Sequence, residues 1–100
     1  METSNKCIAL ESLKEALDNE SNIVIFDVRS PEEYTERHIP GAINIPLDTV
    51  ESALPNLDKG KLYITVCKKG GGRSEAGAEK LKQAGYNATW LCGGTLGWFE

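Results

Sequence analysis

Residues 62–84 read LYITVCKKGGGRSEAGAEKLKQA, and the local structure changes twice within them. Leu62 to Val66 is an apolar run of the kind that forms a strand buried on both faces. Cys67, Lys68, Lys69, Gly70, Gly71, Gly72 and Arg73 form a glycine-rich loop, and Ser74 to Ala84 reads as a helix with Gly85 as its C-cap. A strand that turns through glycines straight into a helix is the building unit of an α/β sheet. In such sheets, ligands bind beyond the carboxyl ends of the strands, where Cys67 stands.

The same alternation extends outward from this unit. Ile23-Val24-Ile25-Phe26 is a second continuous apolar run, and Ala42 to Ile45 and Ala88 to Leu91 read as shorter strands. Leu10, Leu13 and Leu17 recur at helical spacing, which predicts an amphipathic helix over 11–18. Ser30-Pro31-Glu32-Glu33 starts a short helix: Ser30 caps, Pro31 suits the first turn and Glu33 completes a capping box. Pro40-Gly41 is a turn, Asp48 caps a short helix to about Leu54, and Gly93-Gly94 is a turn. Strands alternating with helices predict one α/β domain over 1–100, with a mostly parallel sheet and helices on both faces.

Composition narrows the function. The net charge of −4 argues against general nucleic-acid binding, which needs a basic field. No apolar run approaches the length of a membrane span, and the polar segment Met1 to Lys6 shows no signal peptide. Three cysteines (Cys7, Cys67 and Cys92) at wide spacing do not read as a disulfide scaffold. A reducing, cytoplasmic compartment with at least one free thiol is the expectation. His38 is the only histidine, no CxxC pair occurs, and neither a metal site nor a cofactor is expected.

The 67–74 loop carries the chemistry. Three glycines let the backbone curl so that several N–H groups point inward, and the following helix adds its own N–H groups and positive dipole end. Arg73 supplies a planar guanidinium for an oxyanion. A thiol in this setting has a lowered pKa. Cys67 is therefore the candidate nucleophile, with Lys68, Lys69, Gly70, Gly71, Gly72, Arg73 and Ser74 as candidate substrate-binding residues. The Gly-Lys-Ser/Thr order of a phosphate-binding P-loop is absent.

Three stretches together resemble the rhodanese family. The first is Asp27-Val28-Arg29-Ser30-Pro31-Glu32-Glu33-Tyr34 followed by His38-Ile39-Pro40-Gly41-Ala42-Ile43-Asn44-Ile45-Pro46; the second is Cys67 to Ser74; the third is Leu91-Cys92-Gly93-Gly94 with Trp98. The resemblance runs from about Ile8 to Trp98. It implies a five-stranded parallel sheet flanked by helices, and a cysteine that takes a sulfane sulfur as a persulfide and hands it to a thiophilic acceptor. Cys67 matches that cysteine, and Lys68 and Lys69 resemble the basic pair of thiosulfate-using members. Implied partners are a small anionic donor (thiosulfate, a polysulfide or a persulfide) and a thiol or cyanide-like acceptor, with a protein sulfur acceptor also compatible. No nucleic acid and no membrane is expected. The Cys-x5-Arg spacing of Cys67 and Arg73 also resembles phosphatases and arsenate reductases of this fold, although Val66 stands where those relatives usually carry His. A non-catalytic sulfur carrier or interaction module is the remaining alternative.

Several residues have plain structural readings. Asp27 and Arg29 suit an ion pair at a strand end, and His38 a hydrogen bond near a turn. Trp90, Trp98 and Phe99 suit packing. Cys92 reads as a small buried side chain, with a thiol that resolves the Cys67 persulfide as the sharper option.

Overall fold

The computed structural model describes residues 7–19 and 22–100. Helix α1 spans Leu10–Asn19, strand β1 Ile23–Asp27, α2 Pro31–Glu36, β2 Ile43–Asn44 and α3 Val50–Ala53, the last flanked by single 3-10 turns at Leu47–Thr49 and Leu54–Asn56. Strand β3 is Leu62–Val66, α4 Gly72–Gln83, β4 Asn87–Trp90 and α5 Gly94–Trp98. The sheet is parallel throughout, in the order β2-β1-β3-β4, with β1 and β3 central.

The period-two alternation of strand side chains divides the interior into two layers. Phe26, Val28, Tyr63, Cys67, Ala88 and Trp90 face one way and pack with Val50, Ala78, Leu81 and Tyr86. Ile25, Ile64, Val66 and Leu91 face the other way, onto Leu13, Ile39 and Ala42, with Trp98 against them. Helices therefore cover both faces, which is why β1 and β3 read as unbroken apolar runs. The capping box of α2 is formed: Ser30 accepts from the Glu33 amide, and the Glu33 side chain accepts from the Ser30 amide. No helix among the described residues is long and apolar enough to cross a membrane.

Asp48 does not cap a helix: it lies within the 3-10 turn Leu47–Thr49, and Thr49 precedes α3 without a side-chain cap bond. Three further expectations need correction. The sheet has four strands among the described residues, not five. At the β4 edge, where a fifth would lie, Ile8 alone makes a parallel bridge to Leu91, donating to the Trp90 carbonyl and accepting from the Cys92 amide. The chain turns into α1 two residues later, so the ladder cannot lengthen. Second, Gly93-Gly94 does not simply turn. Gly93 caps a further helix, α5, at a left-handed φ of 78°.

Third, Cys92 is neither a free packing thiol nor a resolving one, because it is disulfide-bonded to Cys7. The pairing follows from the Ile8–Leu91 bridge, which sets the flanking residues side by side with Cα atoms 5.1 Å apart, inside disulfide range. A separation of 85 residues hides that neighbourhood from the sequence. Cys67 is the free cysteine.

Under denaturing, non-reducing conditions a thiol reagent should label Cys67 alone, with Cys7 and Cys92 labelled only after reduction; labelling of all three without reductant would exclude the bond. Cys7→Ser should lower unfolding stability by about 2–4 kcal/mol, the usual worth of a disulfide closing a long loop, read as a shift in urea midpoint.

Candidate active site

Cys67 leaves β3 at its carboxyl end, and the chain folds over the thiol before entering α4. Two backbone contacts shape this loop. Gly70 sits at φ +81°, and a Cβ there would lie 2.4 Å from the Gly93 nitrogen. Gly94 sits at φ +60°, and a Cβ there would lie 2.5 Å from the Cys67 carbonyl oxygen and 2.6 Å from the Gly70 nitrogen. Only glycine fits both the dihedrals and the space, so the loop and the 93–94 turn interlock backbone to backbone. The Thr95 amide donates to the Cys67 carbonyl (2.9 Å) and the Leu96 amide to the Lys68 carbonyl (3.1 Å). With those carbonyls held by α5, loop amides are left for the thiol.

The thiol is 4% exposed. Its Sγ lies 3.2 Å from the Ser74 Oγ and 3.8 Å from the Gly71 carbonyl oxygen. Ser74 is fully buried in the first turn of α4, and its hydroxyl donates to the Gly71 carbonyl at 3.0 Å. Burial is the largest single influence on Cys67 and pushes its pKa up. Hydrogen bonds from the Ser74 hydroxyl and from the amides of Ser74, Gly71 and Gly70 together outweigh it, and the pKa ends below the ordinary thiol value. On ionisation the Ser74 hydroxyl proton can turn from the Gly71 carbonyl to the sulfur, so one side chain serves both protonation states.

The remaining candidates surround this cradle unevenly. Cys67, Lys68, Lys69, Gly71, Gly72 and Arg73 line an open depression of about 510 Å³, with both lysines exposed. Gly70 lies beneath it, against the 93–94 turn. The Arg73 guanidinium is engaged by a side chain of another helix. Its Nη1 and Nη2 donate to the two carboxylate oxygens of Glu33, at 2.8 and 3.2 Å. The ion pair with Arg73 and the bond from the Ser30 amide hold the Glu33 carboxyl down at about 2. Sequence reading identified Glu33 as a cap but not as the partner of Arg73, since the two are 40 residues apart. Across Lys68 lies a smaller cleft of about 140 Å³, lined also by Arg29, Glu33, Arg37 and Thr95.

Asp27 and Arg29 lie next to this region as a structural lock. The buried Asp27 carboxylate accepts from the amide, Nε and Nη2 of Arg29 at 2.7–3.1 Å, and Nη2 also donates to the Arg37 carbonyl. The Asn44 side chain donates to the Asp27 and Arg29 carbonyls. His38 stacks on Tyr34 and donates from Nδ1 to the Tyr34 carbonyl, away from Cys67.

Comparison with known proteins agrees with this geometry. A family model described as rhodanese-like domain matches residues 9–100. The putative sulfurtransferase YtwF of Bacillus subtilis (strain 168) is 31% identical over 93 residues, covering 93% of this chain and 89% of the relative. The putative sulfur carrier protein YrkF of the same organism is 38% identical over 79 residues; the match takes in 79% of this chain but 42% of the relative. A crystal structure of a rhodanese-like domain protein from Staphylococcus aureus superposes with a TM-score of 0.83 at 36% identity, over 93% of this chain and 90% of that one.

The rate of Cys67 alkylation by iodoacetamide should rise with pH to a midpoint below that of an ordinary thiol, and Ser74→Ala should move the midpoint up. An unshifted midpoint would show that the amides alone hold the thiolate. A lowered pKa in the folded state also means that stability rises with pH between the folded and unfolded pKa values and is fully gained above the unfolded one. Cys67→Ser should flatten that rise in a pH series of urea midpoints.

Proposed function

The chain belongs to the rhodanese-like domain family, and we propose that it transfers sulfane sulfur through a persulfide on Cys67. The observation that carries this reading is the thiol held below its ordinary pKa by the amides of Gly70, Gly71 and Ser74 and by the Ser74 hydroxyl. The Cys67 thiolate attacks the sulfane sulfur of the donor. The donor's S–S bond breaks, and its electron pair leaves with sulfite from thiosulfate, or with a thiolate from a persulfide. The new Cys67–S–S⁻ places its charge on the terminal sulfur, where the same amides stabilise it as they would an oxyanion. An acceptor thiolate or cyanide then attacks that terminal sulfur, and the Cys67 thiolate departs with the electron pair of the cleaved bond.

The other candidate residues take supporting roles in this reading. Lys68 and Lys69, exposed at the rim, draw anionic donors toward the depression. Gly70 and Gly71 supply amides, Gly72 opens α4 and Ser74 binds the sulfur directly. The depression that Cys67 lines opens to the surface, which suits a protein-borne acceptor. The kinship with proteins named sulfurtransferase and sulfur carrier supports sulfur transfer as the general activity.

Intact mass measurement after incubation with thiosulfate or an alkyl hydropersulfide should show one sulfur atom gained, located on Cys67 and lost on adding a thiol acceptor. Cys67→Ser should gain none and should lose sulfur transfer to cyanide while remaining folded. Hydrolysis of an aryl phosphate, blocked by vanadate, in place of sulfur uptake would assign the loop to phosphatase chemistry instead. Replacing both Lys68 and Lys69 by Ala should raise the KM for thiosulfate, and the effect should shrink as salt rises, since exposed charges are screened. A loss confined to kcat and indifferent to salt would give the lysines a part in the chemical step.

A further inference from the structure

The loop arginine of an oxyanion cradle does its work with a two-pronged face: two parallel N–H groups meet two oxygens of the anion. In this protein that face of Arg73 is already taken. Nη1 and Nη2 donate to Oε1 and Oε2 of Glu33, closing a carboxylate fork of the geometry an incoming sulfate or phosphate group would need. The carboxylate also brings its own negative charge to the rim, where a second oxyanion would have to sit.

This pair is better fixed than an ordinary surface ion pair. Glu33 is the third residue of α2, and its Oε1 accepts from both the amide (3.0 Å) and the hydroxyl (3.1 Å) of Ser30 while it accepts from Arg73. The carboxylate is therefore positioned by the α2 cap whether or not Arg73 is present. Arg73, in turn, stands in the first turn of α4, next to the Ser74 that contacts Cys67. Two helix starts, one on each side of the cradle, hold the two charges together. Arg73 still senses the Cys67 charge, which contributes to raising its own pKa, though Glu33 contributes more.

From this arrangement, and resting on the sulfur-transfer reading above, we infer that Glu33 is a specificity-determining residue: by occupying Arg73 it sets the site for persulfide donors carrying at most one negative charge and against tetrahedral dianions such as thiosulfate, arsenate or a phosphate monoester. A persulfide donor needs no guanidinium fork. Its outer sulfur meets Cys67, its leaving thiolate departs with the S–S electron pair, and the loop amides receive the transferred sulfur. Thiosulfate is a dianion, and its SO₃ end, which departs as sulfite dianion, must lie at the rim, beside the Glu33 carboxylate.

Glu33→Gln isolates the charge from the cap, because glutamine is also a capping-box residue and its side-chain oxygen accepts from the Ser30 amide. In this variant the KM for thiosulfate should fall about two- to fivefold relative to that for an alkyl hydropersulfide, the range expected for one exposed charge contact. Sulfate should protect Cys67 from iodoacetamide at a correspondingly lower concentration. Adding Arg73→Gln to Glu33→Gln should erase both gains, which separates release of Arg73 from any loosening of α2. The inference is overturned if Glu33→Gln weakens thiosulfate use and sulfate protection, since Glu33 would then position Arg73 for the anion. It is also overturned if both donors shift alike, or if the gains survive loss of Arg73. If neither donor loads Cys67 in the wild-type protein, the sulfur-transfer reading fails, while sulfate protection still decides what Glu33 does to Arg73.

Discussion

Everything at the site depends on where two carbonyl groups go. A chain leaving a strand presents amides and carbonyls alternately, and a loop that closes over a thiol would ordinarily offer it some of each. Here the carbonyls of Cys67 and Lys68 are claimed by the Thr95 and Leu96 amides at the start of α5. The approach is close enough that neither Gly70 nor Gly94 has room for a Cβ. What remains around the sulfur is donor-rich. The lowered pKa of Cys67 is thus a consequence of tertiary packing between two glycine turns as much as of the loop's own sequence.

The same docking explains how a thiol that is almost fully covered can still be acidic. Burial alone would favour the neutral thiol, and it is the largest influence on Cys67. Three amides and one hydroxyl overcome it because they are already oriented by the fold and need not reorganise when charge develops. The buried Asp27–Arg29 pair extends that rigidity to the far rim. Through Arg37 and Asn44 it ties the end of β1 to the end of α2 and to β2. A buried ion pair held by several hydrogen bonds adds definition more than stability, which suits a site whose α2 must hold Glu33 in register with Arg73.

The fold was largely legible because its strongest signals are local. The β1 and β3 runs, the Ser30 capping box, the Gly85 stop and the strand–loop–helix passage through Cys67 each follow from neighbouring residues and each forms, although α4 starts two residues before the expected Ser74, at Gly72. What escaped was set by contacts distant in sequence. Helix α5 is five residues long and starts at Gly94 directly after the capping Gly93, so no periodicity announces it, and it forms because its amides find the loop carbonyls. The Cys7–Cys92 bond depends on one bridge between Ile8 and Leu91. A fifth strand expected from family likeness shrinks to that same bridge because α1 starts at once. Within the loop, the identity of Cys67 as the free thiol was legible, whereas the direction of the Arg73 side chain was not, since its partner lies on another helix.

The disposition of Arg73 also bears on the width of the loop. Five residues lie between Cys67 and Arg73, and a loop of that reach resembles the cradles that enclose a tetrahedral anion. Width alone, however, supplies only room. Enclosing a dianion further requires the arginine fork to point inward and the net charge at the rim to be positive. In this protein the fork is engaged by Glu33 and the charges of Arg73 and Glu33 cancel, which leaves Lys68 and Lys69 as the positive charges of the rim. Gly70, the first of the three loop glycines, is spent on the backbone contact with Gly93 and Gly94. The space above Cys67 is thus bounded by loop amides, the exposed Lys68 and Lys69, and an Arg73 whose fork is already engaged by Glu33.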